Sequence, residues 1–170
     1  MENSENSFSF PSIHNFPPFY TLQPTQTTWQ NQAALWSEII LSYYRHHKLY
    51  RLNLSESLNS DLFNLNSQGI RRTAEWDPPS KKDSAIIYWR KPEDWANLIN
   101  NWVLETGMSN SIVTVYEIAH GDSAEGFEFH GLDQTILMKA LDILVKKGVA
   151  QIFQGTSTDD MGVKFFGVNG

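Results

Sequence analysis

The most regular pattern of apolar and polar positions lies in the second half of the chain. From residue 95 onward, apolar side chains recur at intervals of three and four, which places them on one face of a helix. Pro92 suits the first turn of this helix, and Gly107 suits the position just after its end. The apolar positions of this predicted helix are Trp95, Leu98, Ile99, Trp102 and Val103.

A second amphipathic run follows Asp133, whose side chain is suited to cap the N-terminus of a helix. The run ends at Lys146, Lys147 and Gly148, which favour a helix C-terminus. The sequence therefore predicts another long helix here. Its apolar stripe comprises Ile136, Leu137, Ala140, Leu141, Leu144 and Val145.

Shorter elements are predicted around these two helices. Residues 112–115 alternate weakly as a strand, and residues 116–119 fit the start of a short helix. Residues 149–153 and 163–166 flank a turn-rich stretch, 154–162, which predicts a hairpin with a polar tip. Three helices followed by a hairpin describe a winged helix, here over residues 92–170.

The first half shows the same order of elements less clearly. Thr27 and Gln30 have the spacing of a capping box at the start of a helix. Residues 49–54 fit a short strand, 55–63 a short helix, and 73–76 with 85–89 a hairpin. The sequence thus predicts a first winged helix over residues 27–91. Its first helix carries Trp29, Ala33, Trp36, Ile40 and Tyr43 on one face.

The two halves differ before their hairpins. Nineteen residues separate Phe129 from Val149 and hold a long helix, whereas nine separate Phe63 from Thr73. Nine residues cannot hold a three-turn helix together with its connections. We therefore predict that the first module lacks most or all of its third helix. We favour an incomplete gene model as the reason, with a spliced variant and a lineage-specific loss as alternatives.

The first 26 residues have a different character. They are rich in Ser, Asn, Phe and Pro and show no helical period, which predicts an extended arm. The sequence thus predicts an α+β chain with three parts: an arm at 1–26 and two tandem winged helices at 27–91 and 92–170. Residues 1–10 are polar and carry Glu2 and Glu5, which does not fit a signal peptide.

Composition and charge restrict the functional classes. The 170 residues are 41% apolar and include no cysteine, which excludes disulfides, a thiol nucleophile and thiolate zinc sites. We expect a cytoplasmic protein. Residues 1–91 carry eight acids against nine bases (+1), and residues 92–170 carry eleven acids against four bases (−7). An acidic second module repels phosphates, so it favours a basic protein partner over nucleic acid.

Acidic and histidine side chains between the last two helices are candidates for a metal or acid-base site. Their spacing matches no known ligand pattern, which favours a solvated acidic loop. The chain also lacks a nucleophile-base pair and a glycine-rich phosphate loop. We therefore expect neither an enzyme nor a cofactor. The residues of this loop are Glu117, His120, Asp122, Glu125, Glu128, His130 and Asp133.

Three segments together resemble the smallest subunit of the ESCRT-II endosomal sorting complexes, and the resemblance runs through nearly the whole chain. The first segment is residues 16–24, hereafter the proline-aromatic segment. The second is residues 89–95, and the third is residues 128–133 with the closing residues 162–166. In sequence they read FPPFYTLQP, WRKPEDW, and EFHGLD with GVKFF.

The resemblance implies tandem winged helices in a non-enzymatic adaptor for sorting ubiquitinated cargo into multivesicular bodies. It implies two larger ESCRT-II subunits as partners of the N-terminal part. It also implies a basic ESCRT-III subunit as the partner of the second winged helix, with only indirect membrane contact at the endosome. The residues that match the docking motif for the larger subunits are Phe16, Pro17, Pro18, Phe19, Tyr20, Leu22 and Pro24.

For these residues a physical argument points the same way, because prolines hold a segment near polyproline II and leave aromatic rings free to fill a partner's pockets. For the ESCRT-III subunit we expect contact with the outer face of the terminal hairpin, since the third helix spends its apolar face on the core. Acidic residues at the hairpin tip would steer a basic partner. The expected contact residues are Phe153, Asp159, Asp160, Lys164 and Phe165.

Three alternatives remain open at this point. The string from Pro17 to Tyr20 has the PPxY form that WW domains bind, which would suit a ubiquitin-ligase adaptor. The same segment could instead fold onto its own domain. A winged helix also suggests a nucleic-acid-binding transcription protein, although the last long helix offers a DNA groove only Gln134 and Lys139 on an acidic background.

Overall fold

The computed structural model describes residues 7–57, 60–63 and 84–167. It comprises two compact units, Met1–Trp89 and Arg90–Gly170, here called the N-terminal and C-terminal units. Each unit mixes helices with short strands, as the sequence predicts for an α+β chain.

The N-terminal unit is built around one long helix, α1 (Gln26–His46). Thr25 caps this helix by accepting a hydrogen bond from the Thr28 amide at 3.3 Å, so the predicted cap at Thr27 is wrong by two residues. The short strand β1 (Arg51–Asn53) and helix α2 (Leu54–Ser57) follow, and β1 pairs antiparallel with β2 (Ser84–Ile86). The prediction that the first module lacks its third helix rests on residues 64–72, and these lie outside the described residues.

The N-terminal segment does not form the extended arm that its composition predicts. Among its described residues, two 3₁₀ turns occur, Ser12–Asn15 and Pro17–Tyr20, and they pack against α1. Proline fixes φ at a value that suits a helical first turn as well as polyproline II, so it does not decide between them. Burial of aromatic rings against the helix favours the folded form.

The core of the N-terminal unit joins this segment to the rest of the unit. Four side chains are buried in it: Phe19, Ile39, Tyr44 and Leu62. Trp36, Ile40 and Tyr43, which the helical pattern places on the inner face of α1, are half-buried around them. Trp29, placed on the same face by the pattern, is 48% exposed.

The C-terminal unit follows the predicted order of elements closely. Its helices are α3 (Pro92–Glu105), α4 (Val115–His120) and α5 (Gln134–Lys146), and its strands are β3 (Ile112–Thr114), β4 (Ala150–Phe153) and β5 (Gly162–Phe165). The three strands form an antiparallel sheet in the order β3-β5-β4. Helices α3 and α5 pack together, and the side chains buried in this unit include Trp95, Ile99, Trp102, Ile136 and Leu141.

The ends of these helices confirm the cues in the sequence. Pro92 lies in the first turn of α3, and Gly107 follows the helix with a φ of +67°, a conformation that glycine adopts without strain. The Asp133 carboxylate accepts hydrogen bonds from the amides of Thr135 and Ile136 at the start of α5. Helix α4 has a complete capping box between Thr114 and Glu117.

Candidate partner-binding surfaces

One side of the proline-aromatic segment belongs to the core of its own unit. Phe19 is only 4% exposed, and its ring stacks on Trp36 with the ring centroids 4.6 Å apart. The Trp36 indole N–H donates to the Phe19 carbonyl oxygen at 3.1 Å, and the side-chain amide of Gln32 donates to the same oxygen. Phe19 therefore holds the segment on α1 and is not available to fill a partner's pocket.

Tyr20 and His14 fasten the same segment at further points. The Tyr20 hydroxyl donates to the His14 carbonyl oxygen at 2.8 Å, and burial raises the pKa of this phenol to about 12. The buried His14 ring lies between Phe10, Tyr20 and Trp36, and its Nε2 donates to the Leu62 carbonyl oxygen at 2.8 Å. Sequence reasoning missed His14, because a lone histidine in a polar stretch carries no signal of burial.

The other side of the segment faces solvent. Phe16 is 53% exposed and Leu22 83% exposed. Phe16 also lines an open apolar pocket of about 200 Å³ between the 3₁₀ turns and α1, where Pro18 and Leu35 contribute further walls. The predicted docking residues are therefore divided by the fold. Phe16, Pro17, Pro18, Leu22 and Pro24 are exposed, whereas Phe19 is buried and Tyr20 half-buried.

This conformation does not suit a WW domain. WW domains bind proline-rich motifs in the polyproline II conformation. Here Pro17–Tyr20 is a 3₁₀ turn, and the Tyr20 hydroxyl is engaged by the chain itself. A WW domain could bind this string only after the segment had left α1.

In the C-terminal unit, the two faces of the sheet have different roles. Along β5, Val163 and Phe165 point into the core and are 0% and 1% exposed, while Gly162 and Lys164 lie on the opposite, outer face. Side chains of a strand alternate between faces, so Phe165 cannot lie on the outer surface with Phe153 and Lys164. Its inclusion among the expected contact residues is therefore wrong.

The outer face carries two exposed apolar side chains close to Gly162. Ile112 on β3 is 62% exposed and Phe153 on β4 is 39% exposed, and β5 runs between these two strands. A Cβ atom added to Gly162 would lie 3.3 Å from Ile112 Cγ2 and 3.8 Å from Phe153 Cβ. The sequence analysis did not predict Ile112 as a surface contact residue, because its strand alternates too weakly to reveal which side chains face outward.

The hairpin tip, residues 154–161, is held by side-chain hydrogen bonds. The Asp160 carboxylate accepts from the hydroxyls of Thr156 at 2.5 Å and Ser157 at 3.1 Å, and these bonds lower its pKa. The Asp159 carboxylate accepts from the side-chain amide of Gln134, the first residue of α5, at 2.8 Å. The hydrogen bond to Gln134 therefore attaches the tip to the start of α5.

Two of the segments that carry the family resemblance meet in the C-terminal unit. The Arg90 guanidinium forms an ion pair with Glu128 at 2.8 Å and lies over the Trp95 ring, 4.8 Å from its centroid. The ion pair therefore joins the segment 89–95 to the segment 128–133. A planar guanidinium can make an ion pair and an aromatic stack at the same time.

No metal-binding group is found in the structure within residues 7–57, 60–63 and 84–167, where three or more histidine, aspartate or glutamate side chains nowhere converge to hold an ion. In the same part of the chain, no helix is long and apolar enough to cross a membrane. The prominent surface features are exposed apolar side chains beside acidic or proline-rich stretches. Exposed apolar side chains that lie together are typical of surfaces that bind other molecules.

Comparison with known proteins assigns the family. The sequence profile described as "ESCRT-II complex subunit" matches residues 13–74 and 64–133. The chain is 42% identical over 176 residues to the vacuolar protein-sorting-associated protein 25 of Danio rerio, covering 94% of this chain and 99% of that protein. It is 38% identical over 173 residues to that of Arabidopsis thaliana, covering 93% and 96%. The chain belongs to the ESCRT-II complex subunit family.

Solved structures agree on the fold. The chain resembles the crystal structure of subunit VPS25 of the endosomal trafficking complex ESCRT-II with a TM-score of 0.75 and 22% identity, over 92% of this chain and 98% of that one. It resembles a chain of the ESCRT-II complex of VPS22, VPS25 and VPS36 with a TM-score of 0.72 and 23% identity, over 91% and 98%. Membership of this family of trafficking-complex components supports a role in endosomal sorting.

Proposed function

We propose that this chain is a non-enzymatic adaptor subunit of ESCRT-II that acts in multivesicular body sorting of ubiquitinated cargo. Its N-terminal unit docks on the two larger subunits of the complex, and its C-terminal unit recruits a basic ESCRT-III subunit. The chain works in the cytoplasm and reaches the endosomal membrane through these partners. Supporting this, VPS25 occurs with VPS22 and VPS36 in the solved ESCRT-II complex that the chain resembles.

Both units are proposed to be winged-helix modules. In the C-terminal unit, support comes from the element order α3, β3, α4, α5, β4, β5 and from the sheet order β3-β5-β4. In the N-terminal unit, support comes from the order α1, β1, α2, β2 and from the pairing of β1 with β2. With this assignment, each unit has one sheet face and several loops that its own core does not need, and these are the surfaces on which a partner could bind.

Docking on the larger subunits is best supported by the exposed side of the proline-aromatic segment. Phe16 stands 53% exposed beside an apolar pocket of about 200 Å³, with Leu22 almost fully exposed a few residues on. Apolar side chains presented by a fastened segment lose little conformational entropy on binding, which raises affinity. The buried Phe19 and the half-buried Tyr20 act indirectly, by fixing the backbone that presents these residues.

A co-purification experiment tests the docking proposal. The full chain is expected to be retained by the two larger subunits, and the double variant Phe16→Ala/Leu22→Ala is expected to lose most of this retention. Truncation of a central anchor costs ~2 kcal/mol or more of binding energy. Trp29→Ala removes an equally exposed aromatic ring from α1 and serves as the matched control. Equal retention of the double variant and the parent would refute docking through this surface.

Recruitment of an ESCRT-III subunit is proposed to use the outer face of the β3-β5-β4 sheet. Ile112 and Phe153 lie close to Gly162 on this face, and the tip residues Asp159 and Asp160 lie exposed beyond the end of β4. An apolar side chain of the partner would pack against Ile112 and Phe153, and basic residues of the partner would face the acidic tip. The charge of −7 over residues 92–170 supports a basic partner.

Electrostatic steering at the tip has a kinetic test. Asp159→Lys is expected to slow association with a basic ESCRT-III N-terminal peptide several-fold at low salt, because exposed charges act mainly on the association rate. The difference should shrink as the Debye length falls to about 8 Å at physiological salt. Surface plasmon resonance with the full chain measures both rates.

The control separates charge from geometry. Gln134→Ala removes the hydrogen bond to Asp159 while the carboxylate keeps its charge. Its association rate should stay close to that of the parent. Equal slowing in Gln134→Ala and Asp159→Lys would show that the tip acts through its shape and would contradict steering.

Binding to nucleic acid is less well supported than binding to protein. Gln134, the first residue of α5, has a side chain suited to read a base edge, yet its amide already donates to the Asp159 carboxylate. Two carboxylates at the hairpin tip would also face the phosphate backbone. Tight binding of the full chain to duplex DNA would favour the nucleic-acid alternative over recruitment by this unit.

A further inference from the structure

The hairpin tip carries three hydroxyl side chains, Thr156, Ser157 and Thr158, and the first two donate hydrogen bonds to the same carboxylate. Thr156 and Ser157 are both exposed, both lie in the irregular stretch between β4 and β5, and both are followed closely by Asp159 and Asp160. Neither side chain contributes to the core of the unit. Their hydrogen bonds both end on one exposed carboxylate, that of Asp160.

We propose that Ser157 is a phosphorylation site for an acidophilic serine/threonine kinase, and that its modification opens the hairpin tip. A kinase of this class has a basic substrate groove, which is complementary to acidic residues on the C-terminal side of the acceptor. Ser157 has carboxylates two and three positions later, at Asp159 and Asp160. The acceptor also lies in a stretch without helix or strand, where a kinase can reach the backbone.

Ser157 is preferred over Thr156 because its hydroxyl is held less tightly. The Thr156 hydroxyl is 2.5 Å from the Asp160 carboxylate, whereas the Ser157 hydroxyl is 3.1 Å from it. Hydrogen bonds to a carboxylate are stronger when they are shorter, so Ser157 is the easier of the two to withdraw.

A comparison within the chain supports the choice. Among the described residues, Thr114 also has an acidic residue three positions later, at Glu117. Its hydroxyl, however, accepts from the Glu117 amide and donates to the Glu117 carboxylate within the capping box of α4, and the residue is only half-exposed. A kinase would have to unwind α4 to reach it, whereas Ser157 requires no helix to open.

The reaction is the ordinary transfer from ATP. A bond forms between the γ-phosphorus and Oγ of Ser157, and the bond from that phosphorus to the bridging oxygen of the β-phosphate breaks. ADP leaves, and the hydroxyl proton passes to the catalytic carboxylate of the kinase.

The consequence follows from the contacts of Asp160. A phosphoserine carries about −1.5 to −2 charges at neutral pH and no longer has a hydroxyl proton to donate. The hydrogen bond from Ser157 is then replaced by repulsion between phosphate and carboxylate. Because Asp160 adjoins Asp159, whose carboxylate accepts from Gln134, we expect the tip to separate from the start of α5 while the backbone hydrogen bond from the Tyr116 amide to the Asp159 carbonyl oxygen still attaches it to α4.

The test incubates the full chain with ATP and an acidophilic kinase and locates phosphate by peptide mass spectrometry. Phosphate is expected on Ser157, and Ser157→Ala should lower incorporation into the tip by about tenfold or more, whereas Thr156→Ala should leave it within about twofold. Asp160→Asn should slow incorporation several-fold, because it removes one acidic determinant. Unchanged incorporation in Ser157→Ala, or phosphate found only outside residues 154–161, would overturn the site.

Hydrogen exchange tests the opening separately. The amides of the tip and of the first turn of α5 should exchange faster in the phosphorylated chain than in the unmodified chain. The amides of α3 provide the internal reference, since the cited hydrogen bonds of the tip run to α4, to the first residue of α5 and within the tip itself. Identical exchange in the two forms would show that the tip stays closed and would overturn the proposed switch.

Discussion

Phe19→Ala is expected to lower the stability of the N-terminal unit by ~3 kcal/mol, because a buried phenylalanine leaves a cavity when it is truncated. The residue is 4% exposed and stacks on Trp36, so the loss includes an aromatic contact as well as buried area. Hydrogen exchange of the α1 amides in the full chain reports this change without interference from the other unit.

The matched control for this prediction is Phe16→Ala. Phe16 belongs to the same proline-aromatic segment but is 53% exposed, so its removal should change stability by no more than about 0.5 kcal/mol. If α1 is equally protected in Phe19→Ala and Phe16→Ala, the segment is not part of the core and the structural account of it is wrong.

Phe165→Ala is expected to lower the stability of the C-terminal unit by a similar ~3 kcal/mol, since Phe165 lies on the inner face of β5 and is 1% exposed. Phe153→Ala also removes a phenylalanine ring, but from the outer face at the end of β4, where the side chain is 39% exposed. This second variant should keep near-parental stability and lose affinity for an ESCRT-III partner by ~2 kcal/mol.

Urea denaturation followed by circular dichroism measures the stability of both variants, and plasmon resonance measures binding. The expected pattern is opposite for the two rings: loss of stability for Phe165 and loss of binding for Phe153. A stable Phe153→Ala variant that binds as tightly as the parent would exclude the outer face of the sheet as the contact surface.

Prediction from the sequence succeeded best where periodicity and caps agreed. Pro92, Gly107 and Asp133 mark the ends of α3 and the start of α5 in the structure as they do in the sequence. These cues act within a few residues, so they do not depend on the rest of the fold. The inner stripe of α5 was likewise predicted, except that Val145 at its end is 38% exposed.

Prediction failed where long-range packing decides the conformation. The proline-aromatic segment has a composition that fits an extended arm. In the structure, however, the Phe19 carbonyl oxygen accepts from Trp36, seventeen residues later, and the His14 ring donates to the Leu62 carbonyl oxygen. No local pattern encodes such partners. The error at Phe165 has another origin: the residue lies in the strand that the sequence predicts, but the alternation along β5 places it on the inner face with Val163.

The contact between His14 and Leu62 has a consequence for how the protein is made. The two residues are 48 positions apart, so the hydrogen bond between them can form only after Leu62 has left the ribosome. Until then, the His14 ring and the Phe10 ring stacked on it lack the carbonyl oxygen that anchors them. Closing a loop of this length costs entropy that a local helix does not. The packing of this segment is therefore completed only after Leu62 has been synthesised, and exposed apolar surface of this kind is what chaperones bind.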